Sequence, residues 1–114
     1  MAKLTYRYHH LGIPTNDKHP DEVYLEKFKF FVSGYKESPY KVEWMRFMPG
    51  SPIPELVQKI PHVAFVVNNL KTALKGKQII IEPNSPSKGL TVAFIVDNGA
   101  PIELMQFDSK EDEI

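Results

Sequence analysis

An α+β domain made of two similar β-rich halves is the fold class that the sequence predicts, on three observations. Short runs with the period-two alternation of half-buried strands recur along the chain. A cluster of breakers, Pro49-Gly50-Ser51-Pro52, divides it near the middle. The two halves also echo each other. His10-Leu11-Gly12-Ile13 opens the first half as His62-Val63-Ala64-Phe65 opens the second, and Val42-Glu43-Trp44-Met45-Arg46-Phe47 closes the first as Ile102-Glu103-Leu104-Met105-Gln106-Phe107 closes the second. The halves cover about 4–50 and 59–108 of one domain spanning 1–114.

In order, Leu4 to Ile13 carries the β-formers Tyr6, Tyr8 and Ile13 and ends at the turn Pro14-Thr15-Asn16-Asp17, so it reads as a first strand. His19 to Glu26 reads as a short helical turn beginning at Pro20-Asp21. Lys27-Phe28-Lys29-Phe30 alternates charge with ring and reads as a strand. It forms a hairpin with Tyr40 to Met48 across the turn-rich Ser33 to Pro39. Pro54 to Lys59 has helical character but little length and connects the halves. Pro61 to Val67 reads as a buried central strand. Asn68 or Asn69 then caps a helix through Leu70, Ala73 and Leu74, which Gly76 stops. Gln78 to Glu82, Leu90 to Val96 and Pro101 to Phe107 read as three further strands. They are separated by Pro83-Asn84-Ser85-Pro86 and by Asp97-Asn98-Gly99, a strong hairpin signal. Residues 109–114 read as a loose, charged tail.

Composition narrows the function classes. Fourteen basic residues balance fourteen acidic ones, so there is no positive field to condense on phosphates and nucleic acid is not an expected partner. The chain has no cysteine; any metal would have to be held by His and carboxylates. No apolar stretch approaches the ~20 residues needed to cross a bilayer, and no leader pattern stands at the N-terminus, so a cytoplasmic protein is expected.

The chemistry-bearing pattern is His then Glu, twice. His10 and Glu43 are 33 residues apart and His62 and Glu103 are 41 apart, so the first half is shorter by 8, about the length of the helix it does not show. Glu103 stands in an otherwise apolar strand, where an unpaired charge would be costly. Alternation puts Glu103 on a face with Met105 and Phe107, and Glu43 on a face with Met45 and Phe47. Two inward carboxylates and two inward imidazoles can satisfy one another by hydrogen bonds or through a shared cation. The plainer readings stay open: core imidazoles bonded to backbone, Glu103 paired with Lys88 or Arg46, Glu43 with Lys41 or Arg46. His9 and His19 are expected outward or in loops, without a role. Arg46 is read as a solvated cation, and Phe28, Phe30, Phe31 and Phe47 as core.

On these residues, with Pro-His-Val-Ala-Phe-Val-Val and Pro-Ile-Glu-Leu-Met-Gln-Phe the clearest stretches, nearly the whole chain resembles the vicinal-oxygen-chelate superfamily, which includes glyoxalases, extradiol dioxygenases and bleomycin-resistance proteins. The resemblance implies two βαβββ modules, the first shortened, forming a cup-shaped mixed sheet. It implies a divalent metal ion (Zn, Ni, Co, Mn or Fe) held by His10, Glu43, His62 and Glu103, with Glu103 or Glu43 moving a proton. The implied activity is that of a lyase or isomerase acting on a small oxygenated substrate through an enediolate-type intermediate, with a dioxygenase ranked lower. The alternative from another class is a non-catalytic small-molecule-binding protein that uses the same cup. A homodimer is also implied. No phosphate loop, dinucleotide fingerprint or Ser-His-Asp motif narrows the ligand.

Overall fold

A computed structural model describes residues 3–109. They form one eight-stranded mixed sheet that curls into a half-barrel, with two short helices. In chain order the elements are β1 (Tyr6–Pro14), β2 (Val23–Leu25), β3 (Phe30–Ser33), β4 (Val42–Phe47), α1 (Glu55–Lys59), β5 (His62–Val67), α2 (Leu70–Leu74), β6 (Gln78–Ser87), β7 (Leu90–Asp97) and β8 (Ala100–Phe107). The strand order is β2-β3-β4-β1-β5-β8-β7-β6. Antiparallel β1 and β5 lie at the centre, β1 runs parallel to β4, and β5 runs parallel to β8. Of the expected tail, 109–114, all but Ser109 lies outside the described residues. Among the described residues no helix is long and apolar enough to cross a membrane.

Local chemistry accounts for the ends of α2 and for the β7–β8 turn. Asn69 Oδ1 accepts the amide hydrogen of Thr72 and caps α2, and Gly76, at φ 71°, lets the chain leave it. Asn98 and Gly99, at φ 52° and 80°, close the β7–β8 hairpin as the dipeptide predicts.

Three stretches depart from the sequence expectation, each for a tertiary reason. Residues 19–29 hold a simple turn at Pro20-Asp21 and then the short strand β2 where a helical turn was expected, and Lys27-Phe28-Lys29 belongs to the β2–β3 turn. Lys29 takes φ 53° there, and the turn directs the Phe28 ring inward against Phe30, 6.3 Å away. Second, β6 runs through Pro83 and Pro86, which the sequence places in a turn. As an edge strand it needs no amide hydrogen on its outer side, and its three register shifts against β7 absorb the prolines.

Third, Arg46 is not a solvated cation. Its guanidinium makes two 2.8 Å bonds to the Glu22 carboxylate and lies 4.3 Å over the Phe31 ring. Beside it, His19 Nδ1 is 3.1 Å from Ser33 Oγ, and its ring meets Trp44 edge-on. The loop 15–22 thereby covers the outer face of β3 and β4. Across the sheet, α2 covers that same outer face, burying Leu70 and Ala73 against Val67, Ala93, Ile95 and Leu104.

The inner face packs Phe30, Met45 and Phe94 with Val57 from α1, and Val92 and Met105 with Ala64. Leu104 is 2% exposed and points to the α2 side, opposite Glu103 and Met105. Leu104→Ala is therefore expected to cost about 3 kcal/mol of stability by urea unfolding, with the inner-face residues undisturbed in the NMR spectrum of the folded variant.

Candidate functional site

The four sequence-derived candidates lie on adjacent strands and face the hollow of the sheet. Cross-strand register fixes them: Glu43 of β4 stands beside Gly12 of β1, which stands beside His62 of β5, while His10 of β1 stands beside Ala64 of β5, which stands beside Glu103 of β8. Each imidazole thus lies opposite a small residue of the other central strand. At Gly12 the need is steric. A Cβ built there would collide with Cε1 of His62 and come within 2.7 Å of both ring nitrogens.

His62 Nε2 donates to Glu103 Oε1 at 3.1 Å. His10 Nε2 approaches the same oxygen at 3.2 Å in ion-pair contact but outside hydrogen-bond geometry, and His62 Nδ1 is buried without a partner. The rings of His10 and His62 are nearly perpendicular, 5.6 Å apart, and Phe94 packs edge-on against His62. His10, His62 and Glu103 each offer a ligand atom, all within 4.8 Å of one another, and the group could hold a metal ion. Two imidazoles and one carboxylate form a donor set for a divalent first-row metal. The inward, unbonded His10 Nε2 is the observation that fits a cation there. Proton and cation would compete for these same atoms.

Glu43 stands outside this group of three. Its Oε1 is 3.9 Å from His10 Nε2, and its side chain is 26% exposed, against 11% for Glu103. The two carboxyl groups are driven in opposite directions. For Glu103, burial works against ionisation, but contact with His10 and His62 outweighs it and holds the carboxyl at about 2. For Glu43, burial dominates and, with the Glu103 charge nearby, raises the pKa despite the pull of the imidazoles. For His10, burial is the largest single effect and lowers the pKa, yet Glu103 and Glu43 together make the net change upward.

Above these groups opens a cavity of about 300 Å³. Its walls are chiefly apolar, with Phe28, Phe94, Val92 and Met105 among them, and Asn84 and Ser87 of β6 add polar groups. Among the described residues that line it, none is Lys or Arg.

Two cavity residues correct or extend the sequence reading. His9, expected outward, is 8% exposed and buried beside His10. A register shift between Tyr8 and His10 marks a β-bulge, and the bulge turns two consecutive side chains into the hollow where alternation allows one. Tyr35, in the β3–β4 turn, stacks on His9 at 5.1 Å, and burial, with Glu43 nearby, pushes its hydroxyl pKa up. The breakdown of alternation at Tyr8-His9-His10 is the only sequence signal for the bulge. Nothing local marks Tyr35. His19 stays on the outer face. No protein-family model matches the chain, and no curated protein matches it in sequence.

Two outcomes are expected. Gly12→Ala should swing the His62 ring off Glu103, seen as a shifted His62 imidazole resonance in a chain that still folds. In chelator-treated protein, stability should peak between the ordinary values of Glu and His, 4.5 and 6.5. The Glu103 contribution is complete above 4.5 and is lost as pH falls toward 2; the His10 contribution is complete below 6.5 and is lost as pH rises through its raised value. The raised Glu43 pKa also disfavours the folded chain above 4.5. Melting temperature against pH measures this, and Glu103→Gln should flatten the acid side.

Proposed function

We propose that the protein is a metal-dependent enzyme of the glyoxalase and bleomycin-resistance class, a lyase or isomerase acting on a small, uncharged, oxygenated substrate. The observation that carries the reading is the convergence of three ligand atoms from His10, His62 and Glu103 at the floor of an apolar cavity. Support for a two-module origin comes from the pairing scheme, which is the same on either side of the β1–β5 seam: parallel next to the seam, then antiparallel twice. The helix α2 follows β5 directly, while among the described residues no helix lies between β1 and β2. The absent helix accounts for the shorter first half.

In this reading His10, His62 and Glu103 would hold the ion, which would supply Lewis-acid polarisation of substrate oxygens. Glu43 has the better claim to the proton-moving role. It is more exposed than Glu103, and its raised pKa brings it closer to the working pH of a base. The Glu43 carboxylate would take a proton from one substrate carbon and return it at a neighbouring one; an ionised Glu103 held between two imidazoles is unsuited to that exchange. The cavity volume is at the lower end for small-molecule sites. Among the described residues its walls hold no Lys or Arg to pair with a phosphate or carboxylate, which favours an uncharged substrate.

A second reading, a binding protein without turnover, is favoured by one specific observation: Glu103 is already satisfied by His10 and His62. Zinc titration by calorimetry separates the two. The enzyme reading expects one ion per chain, lost in His62→Ala and in Glu103→Ala. Affinity should weaken by about tenfold per pH unit once acid protonates His10. Glu43→Gln should retain zinc. A wild-type chain that binds neither zinc, nickel, cobalt, manganese nor iron leaves the binding-protein reading in place.

A further inference from the structure

We propose that His9 is a positioning residue: it accepts the Nδ1 hydrogen of His10 and so commits the His10 Nε2 lone pair to the metal centre. The inference rests on the reading of His10, His62 and Glu103 as that centre. It starts from a contact between two buried rings, His9 Nδ1 and His10 Nδ1, 2.7 Å apart. At that distance one nitrogen carries the hydrogen and the other accepts it.

The site settles which. His10 faces Glu103 and Glu43 through Nε2. If that nitrogen gives its lone pair to a cation, the single hydrogen of the neutral ring must sit on Nδ1, and His9 Nδ1 is where it points. In the opposite polarity the His10 hydrogen is on Nε2, and His10 is no ligand. A partner on the far nitrogen is the usual device that fixes the tautomer and aim of a metal-bound imidazole.

The next link has matching polarity. With Nδ1 accepting, neutral His9 carries its hydrogen on Nε2, 3.3 Å from the hydroxyl oxygen of Tyr35. The Tyr35 ring stacks on His9 with 9° between planes, and Lys41 Nζ lies 5.3 Å from the centroid of the Tyr35 ring. His9 is thus held in plane on one side and bonded at both nitrogens. The bulge between Tyr8 and His10 is the backbone feature that makes the contact: two adjacent residues of a regular strand project to opposite faces.

The test compares zinc affinity in wild type, His9→Phe and His9→Asn. Phenylalanine keeps the stacked ring and removes the acceptor; asparagine keeps an acceptor oxygen near the position of Nδ1 and removes the ring. The expected result is a loss of about 10–100-fold in His9→Phe and a change of less than about threefold in His9→Asn. A purely packing role predicts the reverse order, and that order overturns the proposal. Nitrogen-15 NMR of the zinc-loaded wild type gives an answer that needs no variant to fold: His10 Nδ1 should be protonated and His9 Nδ1 not. Opposite protonation overturns the proposal even where zinc binds. A wild type that binds no zinc removes the metal centre and the role of His9 with it, whereas zinc binding equal in wild type and His9→Phe removes the role of His9 alone.

Discussion

A carboxylate shut inside a protein sets conditions on everything around it, and Glu103 is that group here. Its side chain is 11% exposed, one residue from Leu104 on the packed outer face. Leaving such a charge unpaired costs several kcal/mol or more. The two imidazoles that compensate it come from β1 and β5, so the central register of the sheet and the ionisation of Glu103 are one constraint. A slip of one residue in β1 would carry His10 to the outer face and bring a side chain into the place of Gly12. Buried ionic groups are a poor way to hold a sheet together, since apolar side chains of like volume do it as well or better. A central triad of charge and imidazole is thus one that packing tolerates and that the proposed function would use.

The outer face shows how the sheet bears that load. On the β5–β8 side, α2 lays an apolar stripe on the sheet. On the β3–β4 side the loop 15–22 does the same work with polar chemistry: the fork of Arg46 on Glu22, the Arg46 plane on Phe31, and His19 against Trp44. Both solutions leave the inner face free for the cavity. The polar one uses residues from three separate stretches, 19–22, 31–33 and 44–46, so it has no periodic pattern.

That difference explains how much could be read from the chain. The second half was legible because its signals are local: an asparagine cap and a glycine stop around α2, the Asn-Gly turn, and a lone acid in an apolar strand. That His10, Glu43, His62 and Glu103 face one hollow was expected from a repeat visible in the letters, whereas nothing in the letters marked that both imidazoles would meet Glu103 and leave Glu43 apart. The parts that were not legible are those decided by distant partners. Lys27-Phe28-Lys29 alternates like a strand but forms a turn, because the Phe28 ring has an inner-face site to fill. Pro83 and Pro86 look like chain breaks but sit in a strand, because that strand is an edge. His9 looked like the outward neighbour of an inward histidine, and only a bulge, which no composition rule places, brings it inside.

The two acidic groups of the hollow carry the argument about chemistry further than the donor set alone. Glu43 and Glu103 are the same residue type in matching positions of an echoed sequence, yet their environments part them. Glu103 lies between two imidazoles and stays ionised, while Glu43 has one imidazole at 3.9 Å and a side chain open to the cavity, and its proton is held more tightly. Paired carboxyl groups pushed to opposite protonation behaviour are what acid–base chemistry at one site requires, a fixed charge and a movable proton. A chain selected only to enclose an apolar ligand has no use for that asymmetry, because a raised carboxyl pKa is a cost to folding that aromatic walls do not need. The division between Glu43 and Glu103 is therefore the feature on which the proposed turnover, as against storage in the same cavity, rests.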